Sequence, residues 1–249
     1  VFEACPNIKM VGVLATGYNV VDIACARERG IPVCNVPAYG TASVSQYAIA
    51  LLLEACHHIG HHSDAVHAGR WASCPDWCFW DYPLIELEHK TIGIIGFGRI
   101  GQHLGVMAKA IGMDVIAFDI FHIPGIEEQL GIPYVEMDEL LAMSDFVSVH
   151  APAVDGGALI SAENIAKMKD GVVVINTSRG TNVDEAALLA ALESGKVRAA
   201  GLDVYADEPA TNKALYSHPM VSCTPHIGAA TNEAQKRIGA EIVDIIKAM

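Results

Sequence analysis

Three glycines, Gly96, Gly98 and Gly101, stand in the spacing G-x-G-x-x-G. The first permits a tight turn, the second lets backbone approach a pyrophosphate, and the third lets a helix pack closely on a strand. They fall between an apolar, β-branched run, Thr91–Ile95, and a helical pattern that reaches about Gly112. A helix beginning there offers free N–H groups and a partial positive charge to phosphates. The spacing alone is a weak signal, because glycine-rich turns are common. Asp119 strengthens it, ending the next strand pattern near the roughly 20-residue offset of a ribose-binding acid. The plainer alternative for Asp119 is a solvated strand end. A carboxylate accepts from ribose hydroxyls and repels a 2′-phosphate. Ile120, Phe121 and His122 supply no Lys or Arg to neutralise one. The pattern therefore predicts NAD rather than NADP.

Further polar residues stand where strand patterns end: His150-Ala-Pro152, Asn176-Thr-Ser-Arg-Gly180, Asp203 and Thr224-Pro-His-Ile-Gly228, with Glu208 shortly after Asp203. Ligands of doubly wound sheets sit beyond those ends. Reducing a carbonyl by hydride builds negative charge on its oxygen, so a proton donor and a fixed positive charge are needed. Histidine suits the first task, and a neighbouring carboxylate orients its ring. Arginine suits the second and can grip a carboxylate bidentately. Arg179, Glu208 and His226 are the available set. Each has a plainer reading: a helix cap, a loop charge and a core histidine.

These residues need a scaffold, and the chain alternates strand-like and helix-like patterns through most of its length. Strand patterns at Thr91–Ile95, Asp114–Phe118, Asp145–His150, Val172–Asn176, Ala199–Asp203 and Met220–Cys223 are separated mostly by helical ones. That order requires crossover connections, hence an α/β fold with a doubly wound parallel sheet. Upstream, Val44, Tyr47, Ala48, Leu51, Leu52 and Ala55 fall at helical spacing. One long helix is expected there, running into a histidine-rich continuation and stopping before Gly69, its apolar stripe serving as packing at a subunit interface. Arg70–Pro83 holds Trp71, Trp77 and Trp80 and reads as an irregular loop.

Composition excludes several classes. The 249 residues are 52% hydrophobic, which rules out disorder, and carry a formal charge of −13, which argues against nucleic acid and anionic membranes. No run of about 20 apolar residues is present to span a membrane. Seven scattered cysteines, an odd number, fit reduced thiols in a cytoplasmic protein. His57, His58, His61 and His62 form i,i+4 pairs but lack the carboxylate of a metalloprotease motif, and Cys74 and Cys78 are separated by three residues rather than two. No metal is expected.

The blocks Thr16–Asp22, Lys90–Gln102, Ile175–Gly180, Gly201–Tyr205, Asp207–Pro209 and Thr224–Thr231 together resemble the D-isomer-specific 2-hydroxyacid dehydrogenases. The likeness covers nearly the whole chain. Within that family the stretch Trp80–Leu87 is most similar to glycerate dehydrogenase, or hydroxypyruvate reductase. The resemblance implies a Rossmann domain, residues 43–228, including a dimerisation helix and loop. It implies an incomplete second, substrate-binding α/β domain, residues 1–42, and a C-terminal helix, 229–249, returning to it. It implies His226 as acid/base, Glu208 as its partner and Arg179 as substrate clamp. Asp203 would hold the nicotinamide carboxamide, and Arg99 and Ile100 would meet the pyrophosphate. His150, Ala151, Pro152, Thr177, Ser178 and Gly228 would complete the NAD site, while Ala15, Thr16 and Gly17 would receive the substrate carboxylate. A homodimer is implied, with Trp77, Phe79 and Trp80 as candidates to reach the partner's site or simply to pack the interface.

The sequence departs from the family at Gln46, usually Glu, at His57-His58, usually Arg, and at Val154-Asp-Gly-Gly157, usually Thr-rich. Only Lys9 is basic among the first 26 residues, which disfavours a phosphorylated substrate. The first expectation is interconversion of hydroxypyruvate and D-glycerate. D-lactate and phosphoglycerate dehydrogenases, and a non-catalytic NAD(H)-sensing module like the corepressors of this fold, are the alternatives. The chain opens at Val1 inside what reads as a packed segment, so a missing N-terminal piece is expected, and with it poor solubility or inactivity of these residues alone.

Overall fold

Thr91–Ile95, Phe146–Val149 and Val172–Asn176 are uncharged runs rich in β-branched residues, the composition of strands covered on both faces. In the computed structural model, which describes residues 1–154 and 156–248, all three are strands with almost no exposed residue. Asp155, within one of the departures above, lies outside the described residues. The elements in chain order are β1 (Val11–Val13), α1 (Ile23–Glu28), β2 (Val33–Asn35), α2 (Thr41–His57), α3 (Ile59–His67), β3 (Thr91–Ile95), α4 (Arg99–Ala110), β4 (Asp114–Phe118), α5 (Ile126–Leu130) and α6 (Met137–Met143). They continue with β5 (Phe146–Val149), α7 (Ala162–Lys167), β6 (Val172–Asn176), α8 (Glu185–Ser194), β7 (Val197–Leu202), α9 (Lys213–Tyr216), β8 (Val221–Cys223) and α10 (Asn232–Lys247).

The chain divides into a larger unit, residues 45–227, and a smaller one, residues 1–44 with 228 onward. The larger holds six parallel strands in the order β4-β3-β5-β6-β7-β8. From β3 the chain goes outward to β4, then returns to the other side of β3 as β5. The carboxyl ends of β3 and β5 therefore flank the switch point of the sheet, where such folds bind ligands. Strand periodicity assigns the two faces. Ile92, Ile94, Val173 and Ile175 enter one core, while Ile95, Val147, Val172 and Val174 enter the other. α6 presses directly on β3, so a β-carbon at Gly93 would meet Ser144 Oγ at 2.2 Å.

Two expectations are corrected here. The apolar stripe of α2 is not left for a partner subunit: Ala48, Leu51, Leu52 and Ala55 are buried in this unit's own first core. Nor does one helix run through to Gly69. His58 takes a left-handed backbone, φ 47°, and breaks it. The Glu54 carboxylate then accepts from Gly60 N at 3.1 Å, an acidic side chain satisfying one of the N–H groups that open α3.

The histidines that follow make hydrogen bonds within the chain. His62 donates from Nδ1 to His58 O at 2.8 Å and accepts at Nε2 from Asp81 N at 3.2 Å. His61 and Arg70 both hold Asp81, at 2.6 Å for His61 Nε2 and for Arg70 Nη2. Arg70, then His61, keep the Asp81 carboxyl well below the usual carboxylate range. Trp77 and Trp80 of that loop are exposed.

In the smaller unit β1 and β2 pair in parallel, and Val36, Tyr39, Ala234, Ile238 and Ile242 form its core. Among the described residues no helix is long and apolar enough to cross a membrane.

Candidate active site

The glycine turn is fixed by close backbone approaches. A β-carbon at Gly96 would lie 2.4 Å from Ala151 N, and one at Gly101 would lie 2.3 Å from Gly96 O. One at Gly98 would meet nothing within 4 Å. The first and third glycines thus close the switch point, and the second leaves it open to a ligand. α4 follows with no side chain capping its first turn, and Arg99 and Ile100 stand there. Across the turn Asp119 accepts from Phe97 N at 2.7 Å with Oδ2 and from Phe121 N at 3.0 Å with Oδ1. Its carboxylate is therefore held in a defined orientation at the end of β4.

The neighbouring strand ends carry polar atoms with nothing to bind. His150 follows β5. Its Nε2 meets Ser148 Oγ at 2.8 Å, but its Nδ1 is sealed from solvent and has no hydrogen-bond partner among the described residues. Thr177, after β6, has an equally orphaned Oγ1. Buried polar atoms are normally satisfied, and with Asn182 Oδ1 three among the described residues are not, which fits a bound polar cofactor beside the open glycine turn. Asn182 donates to Ala151 O at 2.9 Å and Pro152 O at 3.2 Å, holding the wall of the crevice. Asn182 was not singled out by its sequence, since a lone Asn in a turn carries no spacing signal.

Burial pushes the His150 imidazole down to about 4. Unfolding exposes it to protonation near its ordinary value of 6.5. Its contribution to stability is therefore complete above pH 6.5 and is lost as the pH falls from 6.5 toward 4. At the acidic end of that window the loss amounts to about 3 kcal/mol. Urea unfolding at pH 7.5 and pH 5, compared between the wild type and His150→Asn, measures it. An equal pH slope in both proteins would exclude this histidine as the source.

Asn176, buried at the end of β6, builds the next turn. Its Oδ1 accepts from Ser178 N at 3.0 Å and from Ser178 Oγ at 2.7 Å, and its Nδ2 donates to Arg179 O at 2.8 Å. Arg179, half-buried, donates from Nη1 to Ser178 O at 2.6 Å. Gly180 then passes so close to the Tyr205 peptide that a β-carbon would fall 1.8 Å from its carbonyl carbon and oxygen.

Beyond β7 and β8 the two remaining candidates meet. His226 Nδ1 lies 2.7 Å from Glu208 Oε2, and Glu208 Oε1 accepts from Tyr205 N at 3.1 Å. The carboxylate is gripped on one side by backbone and presents the other to the imidazole. A carboxylate partner assigns the proton to Nδ1 and leaves Nε2 for exchange. His226 has a left-handed backbone, φ 55°. Asp203, buried, accepts at Oδ1 from Thr224 Oγ1 at 2.7 Å and from Ile227 N at 2.9 Å, so it braces the segment carrying His226. A cavity of about 490 Å³ adjoins the pair, lined by Tyr205, Tyr216 and Cys223 among others.

Ala15, Thr16, Gly17 and Gly228 belong to the smaller unit. Ala15 O accepts from Val36 N at 3.2 Å, Thr16 O from Asn35 Nδ2 at 2.7 Å, and Gly228 O from Ser43 Oγ at 2.6 Å.

Comparison with known proteins places the chain in a family. Residues 49–228 match the family model described as D-isomer specific 2-hydroxyacid dehydrogenase, NAD binding domain. The chain is 56% identical over 240 residues to a hydroxypyruvate reductase of Blautia hydrogenotrophica, covering 96% of this chain and 74% of that one. It is 40% identical over 248 residues to a D-3-phosphoglycerate dehydrogenase of Mycobacterium leprae, covering 99% of this chain but 46% of that longer one. Among solved structures it is similar, with TM-score 0.89 and 32% identity over 99% of this chain and 76% of the other, to an NADPH-dependent glyoxylate/hydroxypyruvate reductase of Sinorhizobium meliloti in complex with NADP and malonate. With the matching segment spanning the whole parallel sheet and every block singled out above from Lys90 to Gly228, the chain is an NAD-binding member of the D-isomer-specific 2-hydroxyacid dehydrogenase family.

Proposed function

We propose that the chain catalyses the reversible reduction of hydroxypyruvate to D-glycerate with NADH, as hydroxypyruvate + NADH + H⁺ → D-glycerate + NAD⁺. The observation that carries it is the 2.7 Å contact between His226 and Glu208 beside the carboxyl ends of β7 and β8. The chemistry supplied by the dinucleotide when bound is hydride donation to the carbonyl carbon. His226 delivers the proton from Nε2 to the oxygen that this leaves negative. Glu208 keeps the ring turned so that Nε2, not Nδ1, faces outward. Arg179 neutralises the developing charge and binds the substrate carboxylate. The glycine turn with Arg99 and Ile100, Asp119, and the orphaned Thr177 and His150 atoms hold the cofactor, and Asp203 stands at its nicotinamide end. Residues 1–42 and 229–249 supply the substrate-binding unit, with Ala15, Thr16 and Gly17 receiving the carboxylate. A homodimer with Trp77, Phe79 and Trp80 at the interface, and a reducing cytoplasmic setting for its seven thiols, complete the proposal.

A panel of hydroxypyruvate, glyoxylate, pyruvate and 3-phosphohydroxypyruvate, each with NADH and with NADPH, tests it. Hydroxypyruvate with NADH is expected to give the highest kcat/KM and a kcat of roughly 1–1000 s⁻¹. Faster turnover of the phosphorylated acid or of pyruvate would reassign the substrate. Equal use of NADPH would overturn the role given to Asp119. Turnover far below that range would favour a sensor.

A further inference from the structure

Asp119 ties the loop it opens to the glycine turn, which is remote in sequence. One of its oxygens takes the amide of Phe97, inside the glycine turn, and the other takes the amide of Phe121, beyond β4. The direction of the carboxylate is thus set by the separation of those loops. The outer loop is poorly covered: Ile120 and Phe121 are each 76% exposed. Something must hold it in place.

Tyr134 touches both sides. Its ring meets the buried Phe97 ring edge-on, with centroids 5.5 Å apart and planes at 85°. It lies flat against His122, at 4.0 Å and 5°. Its hydroxyl accepts from Ile123 N at 3.4 Å. Tyr134 is itself anchored. It bridges Ala117 of β4, where Val135 N donates to Ala117 O at 2.8 Å, and its own N–H donates to Glu127 Oε1 at 2.8 Å. A rigid aromatic ladder, Phe97–Tyr134–His122, therefore spans the same gap as the Asp119 carboxylate.

We propose that Tyr134 is a positioning residue for the nucleotide. It fixes the distance between the glycine turn and the loop after β4, and so fixes the carboxylate that takes the adenosine ribose and refuses a 2′-phosphate. It acts through Asp119 and touches no reacting atom. The proposal rests on the NAD-dependent reading above, and it adds that affinity for the adenosine half, and the preference for NADH over NADPH, depend on an aromatic residue outside the glycine motif.

The test titrates the purified chain with NADH by fluorescence and with ADP-ribose by calorimetry, in the wild type, Tyr134→Leu, Tyr134→Phe and His122→Ala. Tyr134→Leu removes two ring contacts and a hydrogen bond, and is expected to weaken both ligands by about tenfold. Its kcat at saturating NADH and its KM for the oxo acid stay within about twofold, since only cofactor binding is touched. Its preference for NADH over NADPH narrows. Tyr134→Phe keeps the rings in contact and restores most of the affinity. Should Tyr134→Leu fail to fold, His122→Ala removes the stacked face alone and is expected to cost about threefold in ADP-ribose affinity. ADP-ribose affinity and cofactor preference unchanged in the folded variants would overturn the proposal, whatever their melting temperatures. Failure of the wild type to bind either ligand would overturn the NAD-dependent reading itself and the proposal with it.

Discussion

Exchange of His226 for glutamine is expected to lower kcat by about 10² to 10⁴-fold, the usual worth of a positioned general acid. Glutamine nearly fills the same space and still offers a polar end to Glu208, but it cannot release a proton at neutral pH. The oxygen left negative by hydride transfer then has only solvent to protonate it. Cofactor binding is expected to survive, because the glycine turn, α4 and Asp119, proposed above to hold the dinucleotide, are distant in sequence from this pair. The measurement is steady-state NADH oxidation at saturating hydroxypyruvate, alongside an NADH titration of the same protein. A variant that binds NADH normally and keeps kcat within about tenfold of the wild type would remove His226 from the chemistry. Glu208→Gln should fall between the two, since its amide holds the ring in either of two orientations.

Gly180→Ala is expected to be the most damaging substitution that touches no charged group. The added carbon would fall 1.8 Å from the Tyr205 carbonyl and 2.4 Å from Ala206 N. Both are backbone, so no rotamer change relieves the clash. One of the two loops must move, at a cost of about 3 kcal/mol, the upper end for overpacking. The consequences reach further than stability. Arg179 precedes Gly180, and Tyr205 N holds Glu208, so separating the loops displaces both residues of the proposed site together. Misplacement by about 1 Å is enough for roughly a 10²-fold loss in kcat/KM. Urea denaturation and a rate assay on the folded fraction check both halves. A midpoint equal to that of the wild type would show that the approach is looser than described.

Much of this architecture is legible in the residues alone. β3, β5 and β6 are continuous apolar runs of strand length, a pattern that doubly covered parallel strands impose. The glycine turn announces itself because only glycine admits backbone at 2.3–2.4 Å from a would-be β-carbon, at Gly96 and Gly101. Asp119 is recognisable by its distance from that turn. Contacts between loops were not legible. Nothing in the spacing of Tyr134 relates it to Phe97 and His122, and nothing near Gly180 points to Tyr205, because those distances are set by how the sheet brings strand ends together. The break at His58 was hidden for a different reason. Helical periodicity continues across it, and only the Glu54 carboxylate on Gly60 N marks a new start. The stripe of α2 reads as an interface from sequence alone because periodicity gives a buried face but not what buries it.

His226 sits with φ at 55°, a region that asparagine and glycine occupy more readily than histidine. Glycine there would relax the backbone, so any stability gained by His226→Gly comes with the loss of the imidazole. The proposed proton donor is thus held at a point where the chain's own conformational preference favours a side chain without acid–base chemistry.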